Sequence, residues 1–307
     1  MKTEDILEII IPTFNRKPVL EQTLGVLLHS PAGKCQVTVL DNNSTDDTEP
    51  LVKSLIPFFP NLKYVKNRFN LGLAGNFCKA MMLPEKKYFW IMSDDTGLDF
   101  THWNEVEKAL AQDYDVLLTL NYYGVKDCKT VKEQAQIILM LIWMFSGIFK
   151  SSLLTDDLIL RALTDIYTVH PQMALITKAV SEQNIWLPPY PITAPRENVE
   201  SAEKREYSFN RNAAFRHFRL DQPMNFFPGF LNAVENIEDP VLKKTCIELI
   251  FKYSFVKYNS NHFKHIRYHR VNFWDTFLLL PVKYKLVFLA GALKYHITHP
   301  FGRKHEK

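Results

Sequence analysis

Four short apolar runs, each stopping at a polar cluster and each separated from the next by a helical pattern, constrain the fold more than any other feature of this chain. Leu7-Glu8-Ile9-Ile10-Ile11-Pro12 reads as a first strand and Cys35-Gln36-Val37-Thr38-Val39-Leu40 as a second. Leu62-Lys63-Tyr64-Val65 reads as a third, and Tyr88-Phe89-Trp90-Ile91-Met92 as a fourth. Between them, Val19 to Leu28 repeats apolar residues at Leu20, Leu24, Leu27 and Leu28. Ser44-Thr45-Asp46-Asp47 offers an N-cap hydroxyl and a first-turn acid to a helix faced by Leu51, Val52 and Leu55, and Ala74 to Met82 forms a third helical stretch. Strands alternating with helices predict an α/β fold, with a mostly parallel sheet covered on both faces through right-handed crossovers.

In such a sheet the carboxyl ends of the strands share one edge, where ligands bind. Thr13-Phe14-Asn15-Arg16 follows the first strand, Asp41-Asn42-Asn43-Ser44 the second and Ser93-Asp94-Asp95 the fourth. Adjacent carboxylates at a strand end are hard oxygen donors that suit Mg2+ or Mn2+, with substrate phosphates completing the shell, although a solvated turn uses Asp as well. No GxGxxG or GxxxxGK[ST] loop accompanies them, since Gly72-Leu73-Ala74-Gly75 has the wrong spacing for either. Phosphates at this edge must be neutralised another way, which favours a carboxylate-bound metal.

With 307 residues, 47% of them hydrophobic, the chain can build one large unit or two fused ones. Cys35, Cys78, Cys128 and Cys246 form neither a CxxC pair nor a secreted disulfide spacing, and Met1-Lys2-Thr3-Glu4-Asp5 lacks the plan of a signal peptide, so a reducing cytoplasm is expected. Gln134 to Phe149 is uncharged and apolar but, at 16 residues, shorter than the ~20 that a membrane-spanning helix needs; it reads as a buried helix running into a strand. There is no repeat of fixed period, and Leu187-Pro188-Pro189-Tyr190-Pro191 comes nearest to a linker.

Four ordered segments resemble the family 2 glycosyltransferases of the GT-A fold. They are Ile10-Ile11-Pro12-Thr13-Phe14-Asn15-Arg16, then Val39-Leu40-Asp41-Asn42-Asn43-Ser44-Thr45-Asp46-Asp47-Thr48, then Asn70-Leu71-Gly72-Leu73-Ala74-Gly75-Asn76, then Trp90-Ile91-Met92-Ser93-Asp94-Asp95. The resemblance covers the first third of the chain closely. It implies an inverting transferase that uses a nucleotide-diphosphate sugar and Mn2+ or Mg2+. Phe14 then falls beside the nucleotide base and Asp41 where a carboxylate hydrogen-bonds it, which favours UDP or dTDP donors. Pro12, Thr13, Asn15, Arg16, Asn43, Asn70, Gly72, Asn76 and Asp94 look like the nucleotide-sugar lining. Asp94 and Asp95 match the Asp-x-Asp region, with Ser93 in its first position and Asp95 as the direct metal ligand. Other roles suit some of these residues: Asn15 and Arg16 can cap the next helix, Asp41 can close an Asx-turn, and Gly72 can serve a backbone angle.

Ser146-Gly147-Ile148-Phe149-Lys150 resembles the family's segment after the metal motif, where a small residue opens the floor of the sugar pocket. The Glu-Asp pair that supplies the family's catalytic base is absent; the matching neighbourhood is Asp165-Ile166-Tyr167-Thr168-Val169-His170-Pro171-Gln172. An imidazole side chain titrates near neutral pH, so His170 is the expected base, with Asp165 and then Asp156 and Asp157 as alternatives. Pro195-Arg196-Glu197-Asn198 resembles a segment of O-antigen-type members, in which Arg196 meets a phosphate or a surface acid.

Residues 251–307 hold 11 Lys or Arg against two acids and interleave them with aromatics, while Leu286, Leu289, Leu293 and Ile297 keep helical spacing. That composition suits an interfacial helix on an anionic membrane, or a helical layer on the catalytic domain with a solvated basic face. Nucleic acid is not an expected partner, since no RNA- or DNA-binding motif accompanies the charge. The expected division is a GT-A catalytic domain at 1–235, made of a nucleotide-sugar and metal half at 1–125 and an acceptor half at 126–235, then a basic, aromatic-rich C-terminal helical region at 236–307. The expected function is sugar transfer to a glycan or lipid-linked acceptor in bacterial surface polysaccharide synthesis, by a cytoplasmic protein peripheral to the inner face of the membrane. A catalytically impaired nucleotide-sugar-binding or scaffold protein is the alternative that the missing Glu-Asp pair leaves open.

Overall fold

The computed structural model describes residues 2–121, 123–141, 146–164, 166, 171–195, 234, 237–250, 277, 282, 285, 286, 289, 290 and 293. All four expected strands form, as β1 (Leu7–Thr13), β2 (Gln36–Asp41), β3 (Leu62–Lys66) and β4 (Tyr88–Ile91). A single turn, α1 (Thr3–Ile6), precedes them, and α2 (Lys17–Leu28), α3 (Thr48–Leu55) and α4 (Gly72–Met81) connect them. Pro18 sits in the first turn of α2, where its missing N–H leaves no bond unmade. Ser44 does not cap α3. That helix opens at Thr48, whose N and Oγ1 donate to Asp46 Oδ1 at 3.1 and 2.6 Å, while Ser44 serves the buried Asp41.

Beyond β4 come β5 (Thr96–Leu98), α5 (Trp103–Ala111), β6 (Val116–Leu118), α6 (Val131–Leu141), β7 (Gly147–Lys150) and α7 (Asp156–Thr164). The described elements end with α8 (Met173–Ser181), β8 (Ile185–Trp186), β9 (Thr193–Pro195) and α9 (Pro240–Ile250). As the apolar run at 134–149 predicts, α6 is a core helix followed by a strand: Ala135, Ile137, Ile138, Met140 and Leu141 are buried.

Seven strands form the main sheet in the order β3-β2-β1-β4-β7-β6-β8, and β5 pairs with β9 in a small second sheet. β3, β2, β1 and β4 are parallel, β7 is antiparallel to both neighbours, and β8 is parallel to β6. Alternate residues of each strand enter opposite cores. Ile10, Leu40, Phe89, Ile91 and Phe149 join residues from α4, α6, α7, α8 and α9, whereas Ile9, Ile11, Val37, Val39, Trp90 and Ile148 join α2, α3 and α5. Both faces are therefore covered, and each fully buried Leu, Ile, Val or Phe stabilises the fold by about 1.5–3 kcal/mol.

The expected boundary at 235/236 runs through one packed cluster. Val234 and Ile237 are buried in it, α9 adds Cys246 and Ile247 against α6, and Phe277 packs on it. Further on, Val282, Leu286, Leu289 and Leu293 are helical and exposed. Among the described residues no helix is long and apolar enough to cross a membrane. All four cysteines are buried free thiols; burial pushes Cys35, Cys78 and Cys246 up to about 12 and Cys128 to about 11.

Candidate active site

Parallel pairing brings the polar clusters together. Thr13 lies opposite Asp41 and Asp41 opposite Lys66, while Met92 N donates to Ile10 O at 2.9 Å. The segments after β1, β2, β3 and β4 therefore share the carboxyl edge. The start of β7 reaches the same edge from the other direction, where Thr119 N donates to Ser146 O at 2.8 Å.

The acid pair is the electrostatic centre of this edge. Arg16 lays its guanidinium across both residues, with Nη1 at 2.8 Å from Asp94 Oδ1 and Nη2 at 3.0 Å from Asp95 Oδ2. Thr13 donates to Asp94 Oδ2 at 2.7 Å, and Ser93 donates to Asp95 Oδ1. From α2, Thr23 Oγ1 donates to the Asp94 carbonyl at 2.5 Å and fixes the turn. The Asp94 side chain is 3% exposed and that of Asp95 10%, so Asp95 is the more accessible ligand. Among the described residues no group of three His, Cys, Asp or Glu side chains surrounds a point. Two carboxylates without a protein cage fit Mg2+ or Mn2+ shared with a diphosphate, which keeps few protein ligands, and do not fit a structural zinc.

Asp41 is fully buried. Its Oδ1 accepts from Ser44 N at 2.8 Å and Ser44 Oγ at 2.5 Å, and its Oδ2 accepts from Tyr64 OH at 2.5 Å. Burial, and then the Asp41 carboxylate, push the Tyr64 phenol well above its ordinary 10. This corrects the simple expectation of a carboxylate open to the base: a ligand reaches Asp41 only where Tyr64 or Ser44 gives way. The same loop is tied to the end of β1, since Asn15 N donates to Ser44 Oγ at 2.9 Å and Thr45 N donates to Asn15 Oδ1 at 2.8 Å. Asn15 and Asn43 hold positive φ of 50° and 67°, which Asn tolerates better than most residues.

A network of amides fastens the next loop. Asn42 Nδ2 donates to Asn70 Oδ1 at 2.8 Å and to Gly72 O at 3.2 Å, while its Oδ1 accepts from Asn67 Nδ2 at 2.9 Å and Leu71 N at 2.8 Å. Asn67 also donates to Asn76 Oδ1 at 2.8 Å, and Lys79 Nζ donates to Asn67 Oδ1 at 2.7 Å. Gly72 is at φ 70°, a conformation suited to glycine, and its N donates to Asn70 Oδ1. Asn76 is 4% exposed and fastens α4 to the loop through its bond from Asn67. Asn67, Tyr64 and Thr23 are site residues to which the sequence alone assigns no role, and Ser44 is one to which it assigns a different role, that of an N-cap. An Asn one residue past β3 was a readable signal; Tyr64 and Thr23 sat inside apolar patterns and gave none.

The sequence model of the family described as Glycosyl transferase family 2 matches residues 8–184, more than half of the 307. The chain belongs to glycosyltransferase family 2. Among curated relatives, it is 29% identical over 93 residues to the GalNAc(5)-diNAcBac-PP-undecaprenol beta-1,3-glucosyltransferase of Campylobacter jejuni, a match that covers 30% of each chain. To the abequosyltransferase RfbV of Salmonella typhimurium it is 32% identical over 97 residues, 30% of this chain and 29% of that one. These matches thus span under a third of either relative. The solved structure of S. aureus TarS 1-349 with UDP-GlcNAc superposes with a TM-score of 0.61 at 16% identity, covering 98% of this chain and 93% of that one. Mannosyltransferase PcManGT from Pyrobaculum calidifontis, in complex with GDP-Man and Mn2+, gives 0.50 at 15% identity, over 94% and 86%. At such identities the likeness speaks to fold, and the fold is the GT-A fold expected from the motifs.

For this family 2 chain the acceptor side is partly described. Phe14 and Pro12 are half-buried on the edge. Gly147 lets Leu141 and Phe149 pack closely, because a Cβ there would stand 2.6 Å from Leu141 Cδ2 and 2.9 Å from Phe149. His170, Asp165 and Arg196 lie outside the described residues. Their neighbours are informative: Ile166 Cδ1 is 3.6 Å from where a Cβ on Gly75 would be, near the start of α4, and Pro195 pairs with Thr96, next to the acid pair. Asp156 and Asp157 are removed as candidate bases. Cys78 Sγ contacts Ala162 O, so α7 runs antiparallel to α4 and starts at the amino edge, where Ser151 N bonds Lys87 O. A cavity of about 400 Å³ lined by Tyr114, Lys126, Asp127 and Trp186 also opens at that edge, away from the acids.

Proposed function

We propose that the chain is an inverting, divalent-metal-dependent glycosyltransferase that moves a sugar from a nucleotide-diphosphate sugar to a hydroxyl of a glycan or lipid-linked acceptor in bacterial surface polysaccharide synthesis. The observation that carries this reading is the convergence of Asp94 and Asp95 with Arg16 and Thr13 at the carboxyl edge of a parallel sheet. Asp95, with Asp94 behind it, would hold Mn2+ or Mg2+, which when bound neutralises the diphosphate as it leaves. Arg16 supplies a second positive group toward that leaving group. Asn15, Asn43, Asn70 and Gly72 shape the loops that take the nucleotide, Phe14 lies beside its base, and Asp41 holds Ser44 and Tyr64 in place. Uridine or thymidine donors are favoured, because both present an imino N–H to the carboxylate once Tyr64 yields.

On the acceptor side His170, or Asp165 in its place, takes the hydroxyl proton. The acceptor oxygen then forms the new bond to the anomeric carbon from the face opposite the departing nucleoside diphosphate, which inverts that carbon. The relatives' names, an undecaprenol-linked glycan glucosyltransferase and an abequosyltransferase, support a surface-glycan acceptor. Attachment of the basic C-terminal region to an anionic inner-face membrane would bring the site to a lipid-linked acceptor. Incubating the purified protein with UDP-GlcNAc, UDP-Glc, dTDP-sugars and GDP-Man and Mn2+, and measuring the nucleoside diphosphate released, tests the reading; no turnover and no binding of any donor would overturn it.

A further inference from the structure

Beside β8, the outermost strand of the main sheet, lies the cavity of about 400 Å³, a size within the ~300–1,000 Å³ of small-ligand pockets. Tyr114 and Trp186 are half-buried, each packed against the core cluster that α5 joins, and they bring two aromatic rings to its wall. Lys126 and Gln183 are exposed on its rim. Among the described residues these four side chains make no hydrogen bond or ion pair. Asp127, by contrast, is paired with Lys129 at 2.9 Å, so the lining has one positive charge in surplus, that of Lys126. Both sides of the cavity are held in place. Gln183 N donates to Val180 O at 3.2 Å, and Asn184 Nδ2 donates to Asp113 O at 3.2 Å and to Asp115 Oδ2 at 3.1 Å. Across from them Asn121 brackets the turn before Lys126, its Nδ2 donating to Val125 O at 2.8 Å and its Oδ1 accepting from Val125 N at 2.9 Å. We propose that this cavity is a second glycan site, which takes one pyranose unit carrying a single carboxylate at a distance from the acid pair.

Such a sugar uses every group on the wall. The C–H groups on one face of a pyranose carry partial positive charge and fit the negative face of an aromatic ring. Tyr114 OH, Trp186 Nε1 and the Gln183 amide can bond its hydroxyls, and Lys126 its carboxylate. A nucleoside diphosphate fits less well, because one unpaired lysine leaves most of its charge unmet. The amino end of α6, which begins just after Lys129, gives it no further help: Glu133 N donates to Thr130 Oγ1 at 3.2 Å and Thr130 N to Glu133 Oε2 at 3.0 Å, a capping box that places a carboxylate there. An apolar peptide would bury the polar side chains without partners. The cavity is also joined to the carboxyl edge by one stretch of chain. Beyond Trp186 comes the exposed Tyr190, stacked on His102 with ring centroids 4.0 Å apart, and then β9, where Pro195 pairs with Thr96 beside the acid pair. Those nine residues span at most about 30 Å. A glycan with its reacting end near Asp95 therefore meets an exposed aromatic pair on the way to the cavity. That the bound glycan is an acceptor rests on the glycosyltransferase reading; the preference for an acidic sugar rests on the cavity alone.

The test titrates methyl β-D-glucuronide, and methyl β-D-glucoside as its uncharged counterpart, into the full chain and reads binding by saturation-transfer NMR for wild type, Lys126→Glu and Trp186→Ala. At ordinary ligand efficiency a sugar of this size binds with a Kd of ~1 mM. Wild type is expected to bind the glucuronide, and the glucoside more weakly. One charge-assisted contact corresponds to roughly tenfold to hundredfold in affinity, so Lys126→Glu should weaken the glucuronide by about that factor and leave the glucoside within about twofold. Trp186→Ala should weaken both sugars, and UDP with Mn2+ should displace neither. No glucuronide signal in wild type, an unchanged affinity in Lys126→Glu, or displacement by UDP with Mn2+ overturns the proposal. Lys126 is exposed, so its variant decides the matter even if Trp186→Ala fails to fold. Nucleoside diphosphate release from the donors, measured on the same samples, separates the two readings. A wild type that binds glucuronide and turns over no donor loses the transferase reading and keeps the second site; one that turns over a donor without binding glucuronide does the reverse.

Discussion

Replacing Asp41 by Asn keeps the shape of the side chain and removes its charge from a buried position that receives three hydrogen bonds. Ser44 N, Ser44 Oγ and Tyr64 OH donate to it at 2.8, 2.5 and 2.5 Å. Hydrogen bonds to charged groups stabilise by about 1.5–3 kcal/mol and neutral ones by about 0.5–1.5, so neutralising the acceptor loses about 1 kcal/mol for each bond, about 3 in all. For a domain of 150–250 residues that lowers Tm by roughly 6–12 °C. Asp41→Ala should cost more, since the buried Ser44 N–H is left without its acceptor. Tyr64→Phe removes one of the three bonds and should fall between wild type and Asp41→Asn. It should also alter the alkaline limb of stability. The folded state keeps the Tyr64 proton that an unfolded chain gives up near 10, so this contribution is complete below pH 10 and is lost as pH rises beyond it. Thermal and urea unfolding, with UDP titrated by calorimetry on the same samples, measures both consequences. Because the carboxylate fastens the loop, nucleotide affinity should fall tenfold to hundredfold together with stability. Wild-type stability in Asp41→Asn would refute this account, because the three bonds would then not depend on the charge of the carboxylate.

Three further outcomes are expected. General-base catalysis contributes about 10²–10⁴-fold, so His170→Ala should lower the single-turnover rate by that order with donor affinity nearly constant; if Asp165→Asn does so instead, the roles are exchanged. The exposed Val282, Leu286, Leu289 and Leu293, with Lys283, Lys285, Lys294, Arg303, Lys304 and Lys307 each contributing ~1 kcal/mol near anionic headgroups, should make the full chain sediment with anionic liposomes at low salt and release it as salt rises, and indifference to such liposomes at low salt counts against it. None of the four cysteines should react with a thiol-exchange reagent in the native protein at pH 8, since burial pushes all four thiols to about 11 or 12; rapid labelling would contradict the buried positions.

The parallel half of the sheet was legible because its signals are local. Runs such as Ile9-Ile10-Ile11 and Tyr88 to Met92 mark buried strands, and polar clusters directly after them fall on one edge by topology alone. The identity of the acid pair was legible for the same reason. Its partners were not, since Thr23 reaches Asp94 from a helix 71 positions away in sequence and reads there as an ordinary helical residue. Ser44 looked like an N-cap because a hydroxyl before an acidic turn suits that role, yet a fully buried Asp41 three residues earlier claims it. Asn76 carries a structural bond that its motif does not announce, since its Oδ1 accepts from the Asn67 amide. The antiparallel β7 and the small β5-β9 sheet depend on pairings that no local pattern encodes.

Metal-dependent turnover in Asp95→Asn tests the central claim most directly. Asp95 is the more exposed of the two acids, while Asp94 keeps its own contact with Arg16 at 2.8 Å, so the variant should fold. With a donor that wild type hydrolyses or transfers, and Mn2+ at a limiting concentration, the account predicts that nucleoside diphosphate release falls to background while the unfolding transition stays close to that of wild type. Wild-type release by a folded Asp95→Asn at limiting Mn2+ would contradict it.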